Sequence, residues 1–174
     1  MKAIDMTRHE GSKNVALVEL GSNRQQMYIV RTDLKPYKTE EADGVTFIEH
    51  VFPYKPTMDK IKEFVHAVIN AQTDEKILSG FVWNDNPVWL SAENQRNFSE
   101  APRMANINAG ILPVTFKLGE NAEGEPVYHT FETVEDLNDF YSHAFAYINT
   151  CLSEGWQQKD GYDFSEYERQ LGLL

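Results

Sequence analysis

Apolar residues recur at a helical spacing after residue 133, and this repeat constrains the fold more than any other feature of the sequence. The repeat continues for about five turns. Its members are Val134, Leu137, Phe140, Tyr141, Ala144, Ile148, Cys151 and Leu152. Thr133 and Asp136 have the spacing of a capping box, with Asp in place of the usual Glu or Gln, and Gly155 is expected to end the helix. The pattern predicts a long helix with one buried face, which needs an apolar surface to pack on.

The segment around residues 84–87 has the pattern of a β-hairpin, because two short apolar runs flank four turn-forming residues. A four-residue turn places Trp83 opposite Val88. Val82 and Trp89 then share the other face of the hairpin. Both faces are apolar, so the second face needs cover from a helix, from the N-terminal segment or from a partner.

A second hairpin and three further helices complete the predicted main domain. Alternating apolar residues predict strands over 112–118 and 127–131, joined by a polar turn over 119–124. Helices are expected over 58–72, from the N-cap Ser91 to a stop or kink at Pro102, and over 165–168. Hairpins without βαβ crossovers imply the α+β class, with an antiparallel sheet of two hairpins against three to four helices. The expected core contains Phe64, Val68, Phe81, Val114, Phe116, Phe140, Ala144 and Ile148.

Residues 1–55 are predicted to form a small β-rich N-terminal segment. Runs of strand character occur over 15–20, 27–30 and 45–52, with a turn at 21–23. Three short strands are marginal alone, so this segment should pack on the rest of the chain or on a partner. Two prolines within residues 53–56 favour extended backbone and mark the expected boundary. The predicted domains are therefore 1–55 and 56–174.

Charge and composition exclude several classes of function. The chain carries 16 Lys and Arg against 27 Asp and Glu, for a formal net charge of −11. All of the excess negative charge falls after residue 56, and such a surface repels phosphate backbones, so no nucleic-acid partner is expected. No run approaches the roughly 18 to 20 apolar residues of a membrane helix, so no membrane association is expected. A single cysteine and the lack of a leader pattern favour a reducing, cytoplasmic location.

Candidate catalytic or metal-binding groups are few. The five histidines show no paired spacing, and no second cysteine accompanies Cys151, so neither a metal nor a cofactor is expected. His129 and His143 could meet if their elements pack together, with Cys151 two turns away. Cys151 itself falls on the apolar stripe of the long helix, where a thiol usually acts as a small hydrophobe. The sequence therefore favours a role other than catalysis and leaves an enzyme as the second possibility.

Two polar or aromatic segments are candidates for binding. Four consecutive amide or charged side chains at 94–97 offer planar donors and acceptors to a ligand, to a partner or to the ends of neighbouring strands. Trp156 follows the expected helix end, where it could close the core or bind a partner. Together with the second hairpin face, these segments give the candidate interaction residues Val82, Trp89, Asn94, Arg96 and Trp156.

Five segments carry a resemblance to a known family: 88–98, 112–118, 131–133 with the helix behind it, 152–160, and Tyr167. Their order resembles an uncharacterised domain family found in bacteriophages and prophages, often encoded near tail-fibre genes and in many gut bacteria. The resemblance covers roughly residues 57–170. It implies a viral context, with the cytoplasm of a host cell or the virion as the location, and it implies no catalytic residues. It also implies that the helix continues after Phe98, and Pro102 departs from that expectation.

Two hypotheses of function follow. The first is a phage- or prophage-related structural, tail-associated or assembly protein that acts by contacts with other phage proteins or with a second copy of itself. The alternative is a small-ligand-binding or enzymatic module with a site between the 91–101 helix and a hairpin.

Overall fold

The computed structural model describes residues 4–21, 27–39 and 42–173. The chain forms two compact units, Met1–Ala71 with Gln158–Leu174 and Gln72–Gln157. Both units consist of antiparallel strands and helices, so the predicted α+β class is confirmed. The strands are β1 (Arg8–Gly11), β2 (Val18–Leu20), β3 (Tyr28–Lys38), β4 (Asp43–Phe52), β5 (Phe81–Trp83), β6 (Asn86–Val88), β7 (Val114–Glu120) and β8 (Pro126–Phe131). The helices are α1 (Met58–Ser79), α2 (Ala92–Ile107), α3 (Val134–Asp160) and α4 (Ser165–Gln170), with a 3₁₀ turn at Ala109–Ile111.

The N-terminal strands form a four-stranded antiparallel sheet in the order β1-β4-β3-β2. The sequence pattern did not predict β1, since this strand contains no alternating apolar residues. It also made β3 too short, because that strand continues to Lys38 past a bulge at which Asp33 takes a φ of 53°. Most of the predicted turn at 21–23 lies outside the described residues. The sheet therefore has one strand more than predicted, within the expected β-rich segment.

Helices α1 and α4 cover this sheet and give the first unit its core. The buried members are Val30, Ile48, Phe52, Ile61, Phe64, Val65, Val68, Ile69, Tyr167 and Leu171. The Tyr167 hydroxyl donates a hydrogen bond to the Arg31 carbonyl at 2.7 Å, and burial raises the pKa of Tyr167. The N-terminal segment thus packs on later parts of the chain, as its small size requires. The predicted boundary at 53–56 falls within this unit, and independent folding of residues 56–174 stays a prediction.

The second unit packs both hairpins against α2 and α3. Its buried members are Ile77, Phe81, Trp83, Val88, Leu90, Phe98, Ala105, Leu118, Phe131, Leu137, Phe140, Ala144 and Cys151. Phe140 is fully buried, with its ring centroid 4.9 Å from that of Phe98 and 5.1 Å from that of Trp83. The predicted core residues thus divide between two clusters, and Val114, Phe116 and Ile148 are only partly buried.

The first hairpin has a shorter turn than predicted. Trp83 pairs with Asn86 and Phe81 with Val88, so the predicted pairing of Trp83 with Val88 is wrong by two residues. Asn84 and Asp85 both have positive φ, 47° and 61°, as the central residues of a type I′ turn require. Because side chains alternate along a strand, a shift of two residues leaves Val82 and Trp89 on the same face of the hairpin, as predicted.

Helix α2 runs through the proline that was expected to stop or kink it. Ser91 caps the helix as predicted, accepting a hydrogen bond from the Asn94 amide at 3.2 Å. Pro102 lies inside the helix and is buried on the same face as Phe98 and Ala105. Burial of the proline ring offsets the single backbone hydrogen bond that a proline removes. The helix therefore continues past Phe98, as the family resemblance implied.

Helix α3 begins where predicted but does not end at Gly155. Thr133 accepts a hydrogen bond from the Asp136 amide at 3.1 Å, and the helix continues to Asp160. A Cβ atom on Gly155 would lie 2.5 Å from the Thr73 hydroxyl oxygen, so glycine serves here for close packing against α1. Trp156 consequently lies on the helix and not beyond its end.

We expect Phe140→Ala to destabilise the second unit by about 3 to 5 kcal/mol, since the truncation leaves a cavity among several aromatic rings. All three tryptophans, at positions 83, 89 and 156, lie in this unit, so tryptophan emission during urea unfolding reports its stability. Phe145→Ala is the control on the same helix, because Phe145 is 57% exposed. A loss below about 1 kcal/mol for Phe140→Ala would contradict the packing.

Candidate functional site

The two hairpins of the second unit lie edge to edge. The Trp89 amide, just behind β6, donates a hydrogen bond to the Leu118 carbonyl in β7 at 2.8 Å. A Cβ atom on Gly119 would lie 2.8 Å from the Pro87 carbonyl oxygen, so only glycine permits this approach without a shift of backbone. The strands β5, β6, β7 and β8 thus follow one another across the unit.

Side chains that point away from the core form a line across these four strands, which we call the hairpin face. Its members are Val82, Pro87, Trp89, Lys117 and Tyr128. Val82 pairs with Pro87, and Lys117 pairs with Tyr128. The Lys117 ammonium lies 5.3 Å from the centre of the Trp89 ring and links the two hairpins.

The hairpin face is exposed although most of its side chains are apolar or aromatic. The exposed fractions are 60% for Val82, 38% for Trp89 and 62% for Tyr128. Lys117 also forms an ion pair with Glu120 at 3.0 Å, so its charge is balanced locally. The face can therefore offer aromatic and aliphatic area to a binding partner with little cost of leaving a charge unpaired.

The predicted amide segment at 94–97 has mainly a structural role. The Asn94 side chain donates a hydrogen bond to the Trp89 carbonyl at 2.8 Å, and the Gln95 side chain donates one to the Leu90 carbonyl at 2.6 Å. These bonds hold the start of α2 to the end of the first hairpin. Asn94 thus supports the backbone of the hairpin face without forming part of it.

A groove of about 600 Å³ lies between α2 and α3. Its lining consists of Leu90, Ala92, Gln95, Arg96, Phe98, Ser99, Tyr141, Ala144, Phe145, Ile148, Asn149 and Leu152. Arg96 is the one charged residue in this lining. The groove lies beside the 91–101 helix, as the alternative hypothesis required, but its second wall is α3 and not a hairpin.

The five predicted interaction residues do not form one site. Val82 and Trp89 share the hairpin face, Asn94 supports it from behind, and Arg96 faces the groove. Trp156 lies on α3, 56% exposed, and lines neither surface. Sequence analysis missed Tyr128 and Phe145, although the strand alternation in β8 and the position of Phe145 outside the apolar stripe of α3 were available signals.

The titratable groups of the second unit do not converge on a reactive centre within the described residues. His129 lies 3.5 Å from the Asp136 carboxylate, whereas the His143 ring is within 2.9 Å of the Asp139 carbonyl, so each histidine has its own neighbours. Cys151 is buried. Burial raises the pKa of Tyr147 to about 12.

Among residues 4–21, 27–39 and 42–173, no group of three or more His, Cys, Asp and Glu side chains is placed to hold a metal ion. Over the same part of the chain, no helix is both long and apolar enough to cross a bilayer.

Fold and site together define an α+β protein that exposes an aromatic sheet face and an apolar groove. The model of a protein family described as Domain of unknown function (DUF4376) matches residues 60–167, which is more than half of the chain. The chain therefore belongs to this family. The match begins in α1 and ends in α4, so the N-terminal sheet lies outside it. No curated protein and no solved structure matches the chain.

We expect Gly119→Ala to destabilise the second unit by about 1 to 3 kcal/mol, because the new methyl group would overlap the Pro87 carbonyl oxygen and separate the hairpins. Urea unfolding followed by tryptophan emission measures the loss. Glu123→Ala, an exposed change in the turn after the same strand, is the control and should cost less than about 1 kcal/mol. Equal stability of Gly119→Ala and the unmodified protein would contradict the edge-to-edge arrangement.

Proposed function

We propose that this protein works by binding another protein through the hairpin face. The observation that carries the proposal is the line of exposed Val82, Trp89 and Tyr128 across four strands. Contiguous apolar area of this kind is uncommon on a solitary protein. Tryptophan and tyrosine are also the residue types that most often dominate the energy of protein interfaces.

We further propose that this binding serves a phage- or prophage-encoded structure, with the protein as a structural, tail-associated or assembly component. Support comes from the family resemblance, whose segments, including 88–98, 112–118 and 152–160, lie within the matched residues 60–167. The partner would then be another phage protein or a second copy of the chain, in the host cytoplasm or in the virion. Tail genes on either side of the coding gene would support this context, whereas a metabolic operon would oppose it.

The alternative function, a small-ligand-binding or enzymatic module, draws support from the groove between α2 and α3. A volume of about 600 Å³ is within the range of small-molecule sites. Of these two alternatives, the enzymatic module has less support than the small-ligand-binding module. Within the described part of the chain, the lining of the groove contains no histidine, cysteine, aspartate or glutamate that could act as a general base or nucleophile.

We expect Val82→Lys to abolish association through the hairpin face, because it places a charge within the apolar area that a partner would cover. Ile107→Lys is the matched control, since Ile107 is 71% exposed at the end of α2 and outside this face. Sedimentation equilibrium of the full chain over a wide range of concentrations measures self-association. The unmodified protein and Ile107→Lys should associate, and Val82→Lys should remain monomeric.

If the unmodified chain is monomeric throughout, the same three proteins are co-purified with each product of the neighbouring genes. Retention of one product by the unmodified chain and Ile107→Lys, but not by Val82→Lys, supports the proposal. Failure of both assays, or binding that Val82→Lys leaves intact, rejects the hairpin face as the binding surface.

A further inference from the structure

The groove between α2 and α3 continues into a second groove of about 500 Å³. Both grooves are lined by Leu90, Ala92, Gln95, Ile148 and Leu152. The second groove extends along the end of α1 to Asp74, Ile77 and Leu78, all within the second unit. We call the two together the trough. It is separate from the hairpin face, since the two surfaces share no residue.

The trough carries one charge of each sign, at opposite ends. Arg96 lines only the first groove, and Asp74 lines only the second. Neither side chain forms an ion pair with another residue in the described part of the chain. All other lining residues are apolar or neutral. An occupant that matches the trough is therefore apolar along its length, acidic near Arg96 and basic near Asp74.

Exposed aromatic area adds to the apolar part of the trough. Phe145 is 57% exposed on α3 and lines the same groove as Arg96, and its ring centroid lies 6.1 Å from that of Tyr141. Neither ring is needed to fill the core cluster of the second unit. A partner that covers Phe145 would gain hydrophobic free energy in proportion to the area removed from water.

We propose that the trough binds an amphipathic α-helix of a partner protein. An apolar stripe at spacings of three and four would lie between α2 and α3, with an acidic residue at Arg96 and a basic residue at Asp74, as in other helix-in-groove complexes. A simple fatty acid fits less well, because its apolar tail would end at the Asp74 carboxylate. A helix site in the trough does not depend on the hairpin face, so either proposal can be rejected while the other stands.

The probe is a fluorescein-labelled synthetic amphipathic helix of about 18 residues, with leucines at positions i, i+3, i+7 and i+10, glutamates in one terminal turn and lysines in the other. A second peptide carries the two charges exchanged, so that both helix directions are sampled. Fluorescence anisotropy measures binding of each peptide to the full chain. We expect saturable binding that favours one of the two peptides.

Three variants locate the bound peptide. Phe145→Ala and Arg96→Glu should each raise the Kd of the favoured peptide at least about tenfold, and Arg96→Glu should shift the preference toward the peptide with exchanged charges. Tyr128→Ala is the matched control, because Tyr128 is an exposed aromatic residue on the hairpin face, and it should change the Kd less than about twofold. Tryptophan emission confirms that each variant is folded.

Each remaining outcome overturns the proposal. Absence of saturable binding by either peptide rejects a helix site, as does binding that Phe145→Ala and Arg96→Glu leave unchanged. Loss of binding in Tyr128→Ala alone would place the peptide on the hairpin face, which rejects the trough and leaves the proposed function intact. Binding of decanoate that depends on Arg96 and Phe145, without binding of peptide, would identify a small-amphiphile site instead.

Discussion

The ring of Phe140 holds the second unit together, because it packs against aromatic residues of both hairpins and of α2. Its centroid lies 6.3 Å from that of Phe81 in the first hairpin, 4.9 Å from Phe98 in α2 and 5.2 Å from Phe131 in the second hairpin. Aromatic pairs in tilted or edge-to-face arrangements contribute free energy beyond the area that they bury. The shape of this cluster therefore fixes where the hairpins and α2 lie against α3.

The exposed hairpin face follows geometrically from this buried cluster. Side chains alternate across a strand, so turning Phe81 and Trp83 inward directs Val82 outward, and turning Phe116 inward does the same for Lys117. Geometry explains the direction of these side chains but not their chemistry. An outward position on an antiparallel sheet usually carries a polar residue. Valine and tryptophan at such positions are not required by the fold, which is why we assign them a binding role.

The sequence could predict the elements that depend on local patterns. The helical repeat located the start of α3, and strand alternation placed both hairpins, because these signals come from the packing of one element on an apolar surface. The end of α3 was missed because Gly155 packs against Thr73, a residue 82 positions away in the chain. Pro102 was misinterpreted for a similar reason, since burial of its ring depends on tertiary packing.

The residues of the candidate site could be predicted from the sequence only where a local pattern determines the direction of the side chain. Val82 and Trp89 were identified because the period of the strand assigns their face even when the register is wrong by two residues. Tyr128 and Phe145 were not identified, although the strand alternation of β8 and the helical repeat of α3 place both outside the buried faces. A site beside the 91–101 helix was predicted, but with a hairpin as its second wall, whereas the groove lies between two helices. Its wall at α3 is set by helix packing and not by any local motif.

Electrostatics and apolar contact act at different distances on this protein. The chain has a formal net charge of −11, so two copies repel each other before their apolar surfaces meet. Salt screens that repulsion beyond roughly 8 Å at physiological ionic strength, whereas desolvation of the hairpin face or the trough occurs only at contact. Lys117 and Arg96, the positive charges on these two surfaces, are local exceptions to the acidic background. A partner of the proposed kind would therefore be selected by close fit to an apolar surface and its few charges, and the overall acidity opposes association that lacks such a fit.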